Sequence, residues 1–179
     1  MALDTNTSIL IKDLETTEEF RFLLPDNSIV KRIKEITGHT NIRIIDFDTD
    51  LCYDIDLSDA EEISGEDQLK VISYINKDIK KVEERGNDLR VINALLDTVC
   101  VANDIDYALY LEDKVRCLMD VYDSETLGRA IIANYYYEID PFLYKYIDFE
   151  QLGEDSRQDY YISLIYDVAI LKSSVVKME

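Results

Sequence analysis

The chain has 179 residues, which is enough for one large domain or for two to three small ones. Hydrophobic residues make up 47% of it and charged residues 32%, a composition that indicates a folded globular protein and excludes a disordered acidic tail. With 38 acidic and 19 basic residues, the formal net charge is −19, so the protein repels nucleic acid and anionic membrane surfaces and attracts basic partners.

The same sequence predicts a cytoplasmic protein. No stretch approaches the ~20 uninterrupted apolar residues that cross a bilayer, and the first residues lack the basic start and apolar run of a secretion signal. The three cysteines, Cys52, Cys100 and Cys117, are odd in number and widely separated. We therefore expect reduced thiols and no disulfide framework.

The first predicted elements are two short strands and a helix. Residues 8–14 and 20–24 are rich in Ile, Leu and Phe and precede a turn signal at Pro25. Ser28 is the predicted N-cap of a helix with one apolar face, and Gly38 is the predicted left-handed residue that ends it.

From Ile45 to Leu57, apolar and acidic residues alternate with period two, which predicts a hairpin with its turn near Thr49 and Asp50. One face of the hairpin enters the core. The other face displays the carboxylates of Asp46, Asp48, Asp50, Asp54 and Asp56. Like charges on one face repel each other, so this pattern predicts that a cation or a basic partner neutralises them.

The pattern of residues 58–113 predicts a helical middle domain. Two capping-box spacings, Ser58 to Glu61 and Ser64 to Asp67, precede a long amphipathic run that Gly86 ends. Shorter runs follow over 89–99 and 105–111.

The last third predicts mixed structure. We expect a strand over 115–122, a helix over 124–137 capped by Ser124, a short helix beginning at Pro141 and a strand over 160–171. The predicted fold class is α+β with three domains: a β-rich N-terminal domain with one helix (1–57), the helical middle (58–113) and a C-terminal α+β domain (114–179).

Known catalytic patterns fit this sequence poorly, and we expect no enzyme, no metal and no cofactor. A calcium loop starting at Asp46 would need Gly and Glu where Leu51 and Leu57 stand. The single histidine, His39, is expected in a solvated loop and cannot build a zinc site. The enzyme alternative is a Mg²⁺-dependent phosphatase, because Asp46 and Asp48 after an apolar strand resemble the nucleophile and acid of haloacid-dehalogenase-type phosphatases.

Besides the net charge, the tyrosine content is unusual, with 13 tyrosines and no tryptophan. Several lie in the C-terminal third next to acidic residues. Tyrosine has an apolar body and a polar tip and suits partly wet interfaces. The cluster predicts a protein interface in this part of the chain.

The segment after Pro141 contains Tyr146, Ile147, Asp148, Phe149, Glu150, Leu152 and Gly153. With these residues it resembles the C-terminal motif of the ArdA family of antirestriction proteins. Upstream, Leu127, Gly128 and Arg129 resemble the Leu-Gly-Arg helix of that family. The sequence departs from the family's pattern after the motif, where Glu154, Asp155 and Ser156 replace the usual Arg-Asp-Leu.

The resemblance implies an elongated three-part protein that forms a homodimer through its C-terminal domain and imitates bent DNA. Such a protein occupies the DNA-binding cleft of the methyltransferase core of type I restriction-modification enzymes and binds no nucleic acid itself. A dimer of this charge would match roughly 65 Å of duplex, about 19 base pairs. The candidate phosphate surrogates are Asp46, Asp48, Asp50, Asp54, Asp56, Asp148, Glu150, Glu154 and Asp155.

The charge pattern leaves the target of such a mimic open. A CRISPR effector or a chromosomal DNA-binding protein also presents a basic groove to DNA, so either is an alternative target.

Overall fold

A computed structural model of the chain describes residues 3–53, 63–101, 104–136 and 138–176. The described residues form two antiparallel three-stranded sheets and six α-helices, so the predicted α+β class is confirmed. They group into two compact units, Met1–Asn87 and Asp88–Glu179. The division into three domains stays a prediction. Among the described helices, none has the length and apolar character that a membrane crossing requires.

The sheet of the first unit contains β1 (Thr7–Asp13), β2 (Glu19–Leu24) and β3 (Ile42–Asp48) in the order β2-β1-β3. The two strands predicted over 8–14 and 20–24 are confirmed. Ile9 and Ile11 are fully buried, as the period of two along a strand requires when one face forms the core.

The first half of the predicted hairpin after Ile45 is a strand, β3, and it pairs with β1. Residues 50–52 form a bend, and the second strand of the hairpin stays a prediction. Ile44 lies opposite Ile11 while Asp46 lies opposite Leu10, so Ile45 is the extra residue of a β-bulge. The bulge shifts the alternation by one. Residues 54–57, with Asp54 and Asp56, lie outside the described residues.

Two helices complete the first unit, α1 (Ile29–Thr37) and α2 (Gly65–Arg85). Gly38 ends α1 in the left-handed conformation, as predicted, with φ of 76°. Ser28 makes no capping hydrogen bond and instead donates its hydroxyl to Asp26 at 2.8 Å, because the aspartate accepts more strongly.

The long helix α2 starts as predicted. The Ser64 side chain accepts from the N–H of Asp67, whereas the capping spacing from Ser58 to Glu61 lies outside the described residues. One turn further on, the buried side chain of Gln68 accepts the N–H of Ile44 at 3.1 Å. This bond satisfies a β3 backbone donor from the side of the helix.

The second unit contains four helices and a second sheet, of order β4-β6-β5. The elements in chain order are α3 (Leu89–Thr98), α4 (Ile105–Glu112), β4 (Cys117–Met119), α5 (Ser124–Tyr135), α6 (Phe149–Ser156), β5 (Tyr160–Ser163) and β6 (Val168–Leu171), with a 3₁₀ helix over Pro141–Tyr146. Its core cluster consists of Leu118, Val121, Leu127, Ile131, Tyr160 and Ala169.

Two expectations for the second unit need correction, and one helix was not expected. The strand predicted over 115–122 is shorter, since only Cys117–Met119 pairs with β6. The cap of α5 is Asp123 and not Ser124, because the Asp123 carboxylate accepts the N–H of Thr126 in a capping box. The α6 helix was not predicted, although Asp148 and Gln151 have the spacing of a capped helix start.

The strand predicted over 160–171 is in fact the β5–β6 hairpin, with a turn over 164–167. Arg90 holds this turn from α3: its guanidinium donates to the carbonyl of Tyr166 at 3.2 Å, to that of Asp167 at 3.4 Å and to the carboxylate of Asp120 at 3.1 Å. These bonds fix the conformation of the turn. Leu164 and Ile165 within it are exposed and apolar and are not turn-forming residues.

Candidate functional site

The N-terminal candidate acids lie along β3 and just after it. Asp46, Asp48 and Asp50 are all exposed. Asp46 forms an ion pair with Arg21 at 3.1 Å, and Asp50 accepts from the side-chain amide of Asn6 at 2.5 Å. The side chain of Asp48 makes no hydrogen bond or ion pair with the residues that the structure describes. It is therefore the member of this set most available to an external cation.

Basic side chains share the outer face of this sheet with the acids. Arg21 and Asp46 lie on either side of Leu10 and reach across it to each other. Two residues further along β1, Lys12 lies opposite Arg43 of β3. The mutual repulsion that the sequence pattern implied is therefore reduced within the chain itself. The pattern could not show this, because the bulge and the strand order decide which side chains meet.

The C-terminal candidate acids lie on α6. The carboxylate of Asp148 caps the helix by accepting the N–H of Gln151 at 3.0 Å, and that of Asp155 accepts from the Gln151 side chain at 2.8 Å. Glu154 accepts from the hydroxyl of Ser124. Glu150 is exposed and has no hydrogen bond or ion pair within the described residues. All four carboxylates are exposed, so α6 presents them to solvent on one short element.

The positions of these acids along α6 are not optimal for the helix. Asp148 and Glu150 lie at its start, where the helix dipole favours negative charge. Glu154 and Asp155 lie in the last turn, where the dipole disfavours it by roughly 0.3–1 kcal/mol each. Glu150 and Glu154, four residues apart, also repel each other by about 0.2–0.5 kcal/mol. The favourable positions at the start of α6 and the unfavourable ones in its last turn roughly cancel, so the repulsion between Glu150 and Glu154 is the remaining cost to the helix.

The two segments that carry the family resemblance pack against each other. α5 and α6 cross so closely that a Cβ on Gly128 would lie 2.0 Å from the carbonyl oxygen of Phe149, and one on Gly153 would lie 1.8 Å from that of Ser124. Phe149 is buried, and Arg129 lies 4.3 Å above its ring centroid. The motif glycines and Phe149 therefore build the helix crossing, while the acids between them face solvent.

The remaining motif residues divide between packing and exposure. Leu152 packs against the core cluster, and Ile147 is half-buried. Tyr146 is exposed beside Phe142, with ring centroids 6.0 Å apart. Sequence reasoning missed Phe142 as a functional candidate, although its place within the predicted interface region was a usable signal.

The thiols have the character of structural cysteines. Burial raises the pKa of Cys100 to about 12, with Asp104 nearby as a smaller cause. Burial likewise raises the pKa of Cys117 to about 11, assisted by Asp88 and Glu112. Both thiols are therefore protonated at neutral pH and poor nucleophiles.

We expected His39 to be a solvated loop residue, and this expectation is wrong. The side chain is half-buried and hydrogen-bonded. Its Nε2 lies 3.3 Å from the carboxylate of Asp13, and its Nδ1 accepts the N–H of Asn41 at 3.1 Å. These contacts give the ring a role in holding the segment between α1 and β3.

The described residues hold no group of three or more His, Cys, Asp or Glu side chains that could bind a metal ion. Where the phosphatase alternative places a nucleophile and an acid, the structure places the Arg21–Asp46 pair and Asp48, whose side chain has no partner among the described residues. Both described sheets are antiparallel, whereas the phosphatase motif belongs to a βαβ succession.

No protein-family model matches the chain, and the search of curated proteins finds no match either.

Proposed function

We propose that this protein is a DNA-mimic antirestriction protein, which occupies the DNA-binding cleft of type I restriction-modification enzymes with its acidic surface. The observation that carries the proposal is the exposure of every described candidate acid, Asp46, Asp48, Asp50, Asp148, Glu150, Glu154 and Asp155, in a chain of net charge −19. The partner is the methyltransferase core of the enzyme. The protein acts in the cytoplasm without a cofactor, as a homodimer through its C-terminal residues 114–179.

The spacing of the acids supports imitation of a phosphate backbone. Alternate residues of a strand such as Asp46 and Asp48 repeat at about 6.6 Å, and residues four apart on a helix such as Glu150 and Glu154 repeat at about 6 Å. Every second phosphate of one DNA strand repeats at roughly 6.8 Å along the axis. Arg and Lys side chains arranged for phosphates can therefore meet carboxylates at similar intervals.

The test is the cleavage of an unmodified plasmid by a purified type I restriction enzyme, with and without the protein. We expect inhibition at stoichiometric amounts and direct binding that weakens as salt rises, because exposed charges are screened. A charge-conserving control, Asp48→Glu with Glu150→Asp, should inhibit like the wild type.

Two outcomes would contradict the proposal. Full cleavage in the presence of excess protein at low salt would exclude this enzyme class as the target. Turnover of a generic phosphate ester with Mg²⁺, lost in Asp46→Asn, would favour the phosphatase alternative.

A further inference from the structure

The 3₁₀ helix Pro141–Tyr146 leaves two aromatic rings in solvent. Phe142 is 63% exposed and Tyr146 is 70% exposed. The other four phenylalanines of the chain are buried or half-buried. Aromatic side chains contribute strongly to interfaces when they are buried, so a paired exposure of this kind marks a contact surface.

The two rings already hold a cation from their own chain. The Nζ of Lys145 lies 3.8 Å from the ring centroid of Phe142 and 4.9 Å from that of Tyr146. Both distances are within the ~6 Å over which a ring face attracts a cation. Lys145 is exposed and makes no ion pair with the described residues, so the rings alone hold its ammonium group.

The surroundings of the rings add negative charge. Asp140 caps the 3₁₀ helix by accepting the N–H of Phe142 at 2.9 Å, and Asp148 follows the helix at its other end. Glu138 and Glu150 are exposed nearby in the sequence. Between Glu138 and Glu150 the chain carries four carboxylates and one lysine, so the segment that holds the rings has a net negative charge, which favours an approaching cation.

We propose that the Phe142–Tyr146 pair binds an arginine or lysine side chain of the basic partner, which displaces Lys145 from the rings. The guanidinium of arginine suits the site better than ammonium, since it is planar and less strongly hydrated. The inference rests on the proposed function only for the identity of the partner. It adds a contact that is distinct from phosphate imitation, because a ring carries no charge.

A first experiment tests the cation site without any restriction enzyme. The five phenylalanine rings are labelled for NMR, the Phe142→Leu variant assigns one signal, and an octa-arginine peptide is added at 0.5 M salt. We expect the Phe142 signal to shift and the four others to stay. An octa-citrulline peptide, neutral but of the same shape, should leave all five unchanged. No shift of Phe142, or an equal shift with citrulline, overturns the proposal.

A second experiment measures binding to the type I enzyme over a range of salt concentrations. Phe142→Leu with Tyr146→Leu should weaken binding about fivefold to thirtyfold at every salt concentration, with the salt slope unchanged. Removal of carboxylates should instead make the slope shallower. A ring variant that binds like the wild type overturns the proposal, and so does one that loses only self-association in sedimentation. In either case the wild type can still inhibit the enzyme, so the proposed function would stand while the cation site would not.

A substitution of Lys145 tests whether loss of this lysine tightens or weakens binding to the type I enzyme. If a partner cation takes its place, Lys145→Gln should tighten binding, and by more than Lys77→Gln, which removes an equal charge from an exposed site on α2. Weaker binding by Lys145→Gln would mean that the lysine itself contacts the partner, and this result overturns the proposal.

Discussion

Arg21 and Asp46 form an ion pair on the outer face of the first sheet, with both side chains about half exposed. Exposed pairs of this kind contribute roughly 0–1 kcal/mol to stability. Their effect on an external field is larger, because the arginine cancels the charge that Asp46 would offer to a partner. Arg21 also donates to the hydroxyl of Ser8 at 2.7 Å, which fixes its position.

We therefore predict that Arg21→Gln tightens binding to the type I enzyme by about 0.2–1 kcal/mol, or up to roughly fivefold. Titration of the labelled enzyme at low salt measures the change. The gain should shrink when Asp46→Asn is added, because the freed carboxylate is its main source. Weaker binding by Arg21→Gln would place the partner away from this face.

Asp13 is a buried carboxylate at the end of β1 that holds the turn into β2. Burial raises its pKa, but the N–H groups of Thr16 and Glu15, the Thr16 hydroxyl and the His39 ring outweigh burial. The net result is a pKa below the usual 3.8. Because the folded-state pKa is lowered, the stabilisation is complete above the unfolded value and is lost as pH falls through the folded value.

We predict that Asp13→Asn lowers the free energy of unfolding at pH 7, and that its difference from the wild type shrinks as pH falls below about 4. Urea unfolding at pH 7 and pH 3 measures both values. Asp48→Asn is the matched control and should stay within about 0.5 kcal/mol of the wild type at both pH values. A difference that is constant with pH would mean that the charge of Asp13 does not matter.

At the scale of elements, the crossing of α5 and α6 decides where the C-terminal acids point. Gly128 and Gly153 allow it, since a Cβ at either position would overlap a backbone carbonyl of the other helix. We predict that Gly128→Ala and Gly153→Ala each destabilise the protein by about 1–3 kcal/mol through overpacking. Thermal or urea unfolding measures the effect.

The control for this prediction is Ala133→Gly, at an exposed position of α5. Helix propensity alone makes this change unfavourable by about 1 kcal/mol and makes Gly128→Ala favourable by a similar amount. Stabilisation by Gly128→Ala would therefore show that propensity, and not the close helix contact, governs this site.

Local patterns predicted most of the elements but not their partners. β1, β2, α1 and α2 follow from period and end signals within each segment. The pairing of β3 with β1 and the bulge at Ile45 depend on Leu10 and Ile11, which lie more than 30 residues away from the bulge. The turn between β5 and β6 depends on Arg90, and its own residues Leu164 and Ile165 carry no turn signal.

For the candidate site, the sequence likewise predicted local features but not the contacts between elements. Alternation correctly indicated that Asp46 and Asp48 face solvent, whereas Glu150 became a candidate only through the motif resemblance. Their intramolecular partners were not predictable, because Arg21 reaches Asp46 across a neighbouring strand and Ser124 reaches Glu154 from another helix. Such contacts depend on packing and not on any local period.

For the whole molecule, the charge balance limits how far the chain can neutralise itself. If every basic residue paired with one acid, 38 − 19 = 19 carboxylates would still lack a partner. Many of the described ion pairs join residues three or four apart on a helix, as Lys31 with Glu35 and Lys80 with Glu84. These pairs shield their own helix and leave the external field of the protein negative.

A field made by many separate carboxylates predicts gradual loss of function. We expect each amide replacement in the series Asp48→Asn, Glu150→Gln, Glu154→Gln and Asp155→Asn to weaken binding to the type I enzyme by about 0.2–1 kcal/mol. Four together then weaken binding by about fourfold to nearly a thousandfold. Binding isotherms at several salt concentrations measure the series, and the salt slope should become shallower at each step. Asp48 and Glu150 come first because neither has a partner among the described residues, so their amides test charge without loss of a structural bond. An abrupt loss at one step, in a variant that unfolds like the wild type, would indicate a discrete active site, since no single charge in a distributed surface carries the whole interaction.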